Sequence, residues 1–182
     1  MGHSTRQVVL LRGINLGPRN RIAMPALREE LTTAGFEDVS TYLQSGNIVM
    51  SSDLPPAQLA RELERRINEA FGLAIAAVAR ARDELATVVD RNPLGEIAVN
   101  PKRYQVSFLS AEPDPDALQS CAALATPQER LVAIGREIYA WHPDGIGRSR
   151  LSAKLAGPAL GVTATARNWA TVTALLAIAD SG

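Results

Sequence analysis

The order of the apolar periodicities constrains this chain most: strand, helix, hairpin, helix, strand, and then the same series again. Val8-Val9-Leu10-Leu11 is an unbroken apolar run of strand length. Met24, Leu27, Leu31 and Ala34 then recur at helical spacing, with Pro25 near the start and Gly35 just past the end. Residues 39–43 and 48–51 read as strands around the turn Ser45-Gly46-Asn47. Pro55-Pro56 opens a second helix with Leu59, Leu63, Ile67 and Phe71 on one face, and Gly72 closes it. Residues 73–79 are the next expected strand. The series β-α-β-β-α-β is the ferredoxin-like pattern.

The second half repeats the order. Residues 83–90 predict a short connecting helix that ends at Asn92-Pro93-Leu94-Gly95. Residues 104–108 alternate apolar and polar, as a half-buried strand does. Asp114-Pro115 caps a helix carrying Leu118, Cys121 and Leu124. Strands at 129–134 and 137–141 join through Gly135-Arg136. His142-Pro143-Asp144-Gly145 is turn chemistry. A helix follows Ser149, with Pro158 splitting it, and 162–166 reads as a brief strand. Trp169, Val172, Leu175 and Ala179 mark a last helix with its cap near Thr165 or Asn168. The expectation is an α+β chain of tandem ferredoxin-like halves: 1–80, a connecting helix and loop over 81–102, and 103–182 with an extra C-terminal helix. No residue identity is visible between the halves, so the duplication is expected in architecture only.

Composition narrows the function classes. Lys and Arg number 19 and Asp and Glu number 19. A balanced chain has no global field to draw it onto nucleic acid or a charged membrane, so any anion site must be local. Only Lys102 and Lys154 are lysine, a bias that fits phosphate recognition but also fits GC-rich coding. Cys121 is the single cysteine, which excludes an intramolecular disulfide and fits a reducing, cytoplasmic compartment. No run reaches the ~18 apolar residues of a membrane span, and no secretory signal is readable. His3 stands in a stretch, 1–4, that is native or a cloning remnant, and it carries no weight in the site.

Three ordered motifs carry a resemblance. Leu11-Arg12-Gly13-Ile14-Asn15-Leu16-Gly17 with Asn20 is the first, and Tyr42-Leu43-Gln44-Ser45-Gly46-Asn47 the second. Thr165-Ala166-Arg167-Asn168-Trp169 with Thr171-Val172 is the third. Together they resemble the DUF1697 family over nearly the whole chain. The resemblance implies a tandem ferredoxin-like α+β fold and no assigned chemistry. Pro18-Arg19 stands where the family usually has Gly-Lys, and Ala170 where it usually has Asn. Proline removes one backbone donor from any anion cradle in that loop.

The candidate ligand site comes from strand direction. In a β-α-β-β-α-β unit the exit loop of the first strand and the hairpin turn lie at one end of the sheet. That brings Arg12, Asn15 and Asn20 towards Gln44, Ser45 and Asn47. Convergent polar loops beside a helix start suit a small anion such as phosphate or a nucleotide. Residues 12–21 carry three arginines and two asparagines, yet they match neither a Walker A loop nor a dinucleotide fingerprint. The alternative is that Asn15 and Asn20 satisfy backbone groups or adopt left-handed conformations, and that 44–47 is turn chemistry alone. Arg167 and Asn168 open the last helix and join the candidate ligand residues, although Asn168 equally suits a cap.

No catalytic centre emerges. A Ser149-His142-Asp144 grouping is imaginable, but the surrounding turn predicts a solvated histidine. Cys121 reads as inert core. No spacing suits a metal, and no cofactor is expected. The leading expectation is therefore a binding protein for a small anionic ligand. The alternatives are a nucleic-acid-binding module and an enzyme without metal. No membrane partner is expected, and the oligomeric state is unreadable.

Overall fold

A computed structural model describes residues 3–182. The elements run β1 (Thr5–Leu11), α1 (Met24–Thr33), β2 (Glu37–Tyr42), β3 (Asn47–Ser52), α2 (Pro56–Phe71), β4 (Ala77–Ala81) and α3 (Arg82–Arg91). They continue through β5 (Tyr104–Leu109), α4 (Pro115–Ala122), β6 (Arg130–Ile134), β7 (Glu137–Trp141), α5 (Arg150–Leu155), β8 (Ala164–Asn168) and α6 (Trp169–Asp180). Single 3-10 turns occupy Ile146–Arg148 and Pro158–Leu160. The strands form two four-stranded antiparallel sheets, ordered β2-β3-β1-β4 and β6-β7-β5-β8. This is the tandem ferredoxin-like α+β architecture. The chain divides into two compact units. One runs through Ala86 and takes in Leu175–Gly182, and the other is Thr87–Ala174.

In the first unit, period-2 and period-3.6 patterns meet in one core. Val9 and Leu11 of β1 and Ile48 and Met50 of β3 pack with Leu27 and Leu31 of α1 and Leu59, Leu63 and Ile67 of α2. Gly72 ends α2 in the left-handed region, φ 67°, and returns its N–H to the Asn68 carbonyl. On the outer face of α2, Arg65 bridges Glu62 and Glu69, the spacing that puts side chains on one helical ridge. The second unit repeats the scheme. Leu109, Ile138, Ala140 and Ala164 pack with Cys121 of α4 and Leu151 and Leu155 of α5.

The strand registers correct the expectation that the halves share no identity. Val8 faces Arg80 and Leu11 faces Ala77 across β1 and β4. Val106 faces Arg167 and Leu109 faces Ala164 across β5 and β8. Gln7 and Gln105, Val8 and Val106, Leu11 and Leu109, Ala79 and Ala166, and Arg80 and Arg167 are therefore equivalent pairs. The two matching segments lie at different separations along the chain in the two halves, so no single period aligns them.

Two further expectations need correction. The strands expected at 73–79 and 162–166 are Ala77–Ala81 and Ala164–Asn168. Leu73 and Ile75 pack against the core before the ladder begins, while an arginine inside each true strand disguises it. Arg80 is buried and returns Nη1 to the Ala79 carbonyl.

Helix α4 begins as its Asp114-Pro115 pair dictates, with the Asp114 carboxylate accepting the Ala117 N–H at 3.1 Å. Asp114→Ala is expected to cost about 0.5–2 kcal/mol, the range for a lost N-cap, seen as a lowered urea midpoint with unchanged slope.

Candidate functional site

The site is built at the end of the first sheet where β1 leaves. Leu10 pairs with Asn47, and Leu11 pairs with Ala77. Three connections therefore share this end: residues 12–23, the turn 43–46, and residues 72–76. Leu11 donates its N–H to the Gly46 carbonyl and Arg12 to the Ala76 carbonyl. Gly46 has φ 80°, and a Cβ there would lie 2.7 Å from the Leu11 Cβ and 2.9 Å from Ile14 Cδ1. Glycine is required on both counts, because the turn rests directly on the first loop.

Asn15 holds the two loops together. Its Nδ2 donates to the Ile22 carbonyl at 2.9 Å and the Gln44 carbonyl at 2.7 Å, and its Oδ1 accepts the Ile22 N–H at 3.0 Å. Its backbone N–H reaches the Asn20 carbonyl, which closes residues 15–20 into a compact loop. Asn15 and Asn20 both lie at positive φ, 55° and 52°, where asparagine is tolerated. Asn47 is fully buried and donates to the Tyr42 carbonyl and to Ser45 Oγ, both at 2.9 Å. The amide side chains of Asn15 and Asn47, with the Ser45 hydroxyl, therefore hold the site's shape. Arg12 is half-buried, and Asn20 and Gln44 are exposed.

The electrostatics of this end are one-sided. The three connections contain Arg12, Arg19 and Arg21 and no Asp or Glu. Glu64 reaches it from α2, but its carboxylate accepts the Ala77 N–H at 2.8 Å. Among the described residues, none of the three arginines has an ion pair. Helix α1 starts here behind Ala23, with no side chain capping its first turn. At the opposite end of the same unit, a cleft of about 300 Å³ is lined by Phe36, Leu54, Glu37 and Asp53, and its charge is acidic.

Sequence reasoning counted Arg19 and Arg21 in the loop without naming them as ligand residues, and it missed the exposure of Leu16 and Leu43. Leu16 and Leu43 are 82% and 56% exposed. The absence of acidic residues was readable in the sequence, but only when the three connections are taken as one surface.

The family model of DUF1697, a protein of unknown function, matches residues 4–139. The chain belongs to the DUF1697 family. Among solved structures, the conserved bacterial protein SP0830 from Streptococcus pneumoniae aligns with this DUF1697 chain at TM-score 0.77 and 24% identity. The alignment covers 97% of this chain and 99% of that one, a likeness of fold. A provisionally assigned chlorite dismutase, TA0507, aligns at TM-score 0.27 and 11% identity over 96% of this chain and 99% of that one, and carries no argument. No curated protein matches the chain.

The other two expected ligand residues lie in the second unit of this DUF1697 protein. Asn168 ends β8 and caps α6, accepting the Thr171 N–H at 2.9 Å. Arg167 is held by Thr165 Oγ1 and the Ala166 carbonyl, both at 2.8 Å. Burial pushes its guanidinium down to about 10, which leaves it charged at neutral pH. Trp169 stacks on Tyr104, ring centroids 4.8 Å apart.

The second unit also corrects the expectation of a solvated His142. The side chain is fully buried. Its Nε2 lies 2.7 Å from Gln105 Oε1, and its Nδ1 lies 3.7 Å from Glu129 Oε1. Gln105 donates onward to the Ser152 carbonyl. Ser149 Oγ accepts the Ser152 N–H as the cap of α5, and neither ring nitrogen of His142 makes a hydrogen bond to it, unlike a nucleophile and its base. The group ties the open end of the β6–β7 hairpin to β5 and α5. Burial lowers the His142 pKa, against the opposing pull of Glu129. Among the described residues, no group of three or more His, Cys, Asp or Glu is placed to hold a metal. Among the described residues no helix is long and apolar enough to cross a membrane.

Proposed function

We propose that this DUF1697 protein binds a small phosphate-bearing anion, such as a nucleotide or inorganic phosphate, at the loop end of its first unit. The observation that supports the reading is the charge of that end: Arg12, Arg19 and Arg21 within one stapled loop, with no Asp or Glu in the three connections around it. Guanidinium groups match phosphate oxygens in planar, two-pronged geometry. The start of α1 adds backbone N–H groups of the same polarity. Asn20 and Gln44 supply neutral donors beside them. Arg12 is the best placed of the cations, because its backbone is fixed to Ala76 at the root of the loop. The buried, single Cys121 fits a cytoplasmic setting.

The test is calorimetric titration with pyrophosphate. Arg12→Ala should weaken binding by ~10-fold or more, the worth of a charge-assisted hydrogen bond, and leave the melting temperature within a few degrees of the parent, because the half-buried Arg12 side chain has no ion pair to lose. Asn15→Ala should do the reverse and lower the melting temperature, because three hydrogen bonds and a left-handed backbone position are lost together. Unchanged pyrophosphate affinity in the Arg12, Arg19 and Arg21 variants alike would end the reading.

A further inference from the structure

The loop end carries a feature that a small anion does not account for. Leu16 and Leu43 are 82% and 56% exposed, two of the four exposed large apolar side chains among the described residues. They neighbour in sequence the two ends of one hydrogen bond, Asn15 Nδ2 to the Gln44 carbonyl, which joins the loops that carry them. Each is presented by a left-handed residue. Asn15, with φ 55°, precedes Leu16, and Leu43 itself has φ 59°. A leucine held at positive φ with its side chain in water is unfavourable on both counts. Neither leucine belongs to the core of the unit, of which Leu11, Ile14 and Ile48 are buried members. The three connections that include these leucines also hold Arg12, Arg19 and Arg21, and no acidic residue.

We propose that this patch docks an acidic, leucine-bearing segment of a partner protein, with Leu16 and Leu43 as apolar contacts and the arginines as a cationic rim. The proposal rests on the reading that this end binds anions and names a larger anion for it. Charge complementarity selects the partner: carboxylates meet guanidinium groups that have no ion pair of their own, and apolar side chains of the segment cover the leucines. An apolar centre with a charged rim is the usual build of a protein interface. Nucleic acid would want exposed aromatic rings for stacking, and the exposed apolar groups here are aliphatic.

The probe is a short fluorescent peptide alternating paired glutamates with leucine, compared with a copy in which serine replaces leucine. The protein should bind the leucine peptide at least ~10-fold more tightly than the serine copy, the discrimination that burying a leucine side chain provides. Raising the salt concentration should weaken both peptides. Leu16→Ser with Leu43→Ser should abolish the discrimination while leaving pyrophosphate binding and the melting temperature unchanged. Arg19→Ser with Arg21→Ser should weaken both peptides and keep the discrimination. Equal binding of the two peptides by the parent protein overturns the proposal, and retained pyrophosphate binding in that case leaves the small-anion reading standing. Tighter binding to phosphatidylglycerol vesicles or to a single-stranded RNA oligomer than to the leucine peptide also overturns it. Loss of pyrophosphate binding with the leucine discrimination intact overturns the small-anion reading alone.

Discussion

Replacing His142 by leucine is expected to destabilise the protein by about 1–3 kcal/mol, the cost of leaving buried polar groups without their partner. Glu129 would then sit buried beside a hydrocarbon, and Gln105 Oε1 would lose its contact with Nε2. Removing both members, Glu129→Leu with His142→Leu, should recover most of the loss, because two apolar groups ask nothing of each other electrostatically. The pH dependence gives a separate readout. Burial depresses the His142 pKa in the folded protein, so below about 6.5 the unfolded chain takes up a proton that the folded chain refuses. Stability contributed by neutral His142 is therefore complete above that pH and is lost as the pH falls towards the lowered folded value. The parent protein should show this acid limb in urea denaturation, and His142→Leu should lack it. A single variant as stable as the parent, or an acid limb that persists without the histidine, would refute the account of this cluster.

Gly46→Val should also be damaging, for a different reason. A Cβ at position 46 meets Leu11 Cβ at 2.7 Å, a contact between two inflexible groups. Overpacking of that kind costs about 1–3 kcal/mol, and a β-branched residue held at φ 80° adds about 1–2 kcal/mol. The expected total is about 2–5 kcal/mol, measured by chemical denaturation. The site should suffer with the fold, because the Leu11 and Gln44 bonds that join the two loops pass through this contact. Pyrophosphate affinity should fall in the same variant even at temperatures where it remains folded. A Gly46→Val protein of parental stability would show that the turn does not rest on the first loop.

Local chemistry by itself determined the element order. Leu59, Leu63 and Ile67 recur at helical spacing and form one buried face of α2. Asp114-Pro115 caps α4, Asn168 caps α6, and Gly135-Arg136 joins β6 to β7, each from neighbours in the chain. Strand direction, which the order of the elements dictates, was enough to bring Asn15 to Gln44. The tertiary structure decided what those residues do there. Asn15 and Asn47 spend their amides on backbone carbonyls supplied by distant positions, so their role depends on partners that no local pattern names. Arginines inside β4 and β8 looked like the end of a strand until the ladders paired them with Val8 and Val106. His142 looked solvated because its neighbours Pro143, Asp144 and Gly145 form a turn. Glu129 and Gln105 close over it from the ends of other strands. Burial is set by the groups that pack against a residue in space, and its neighbours along the chain do not reveal them.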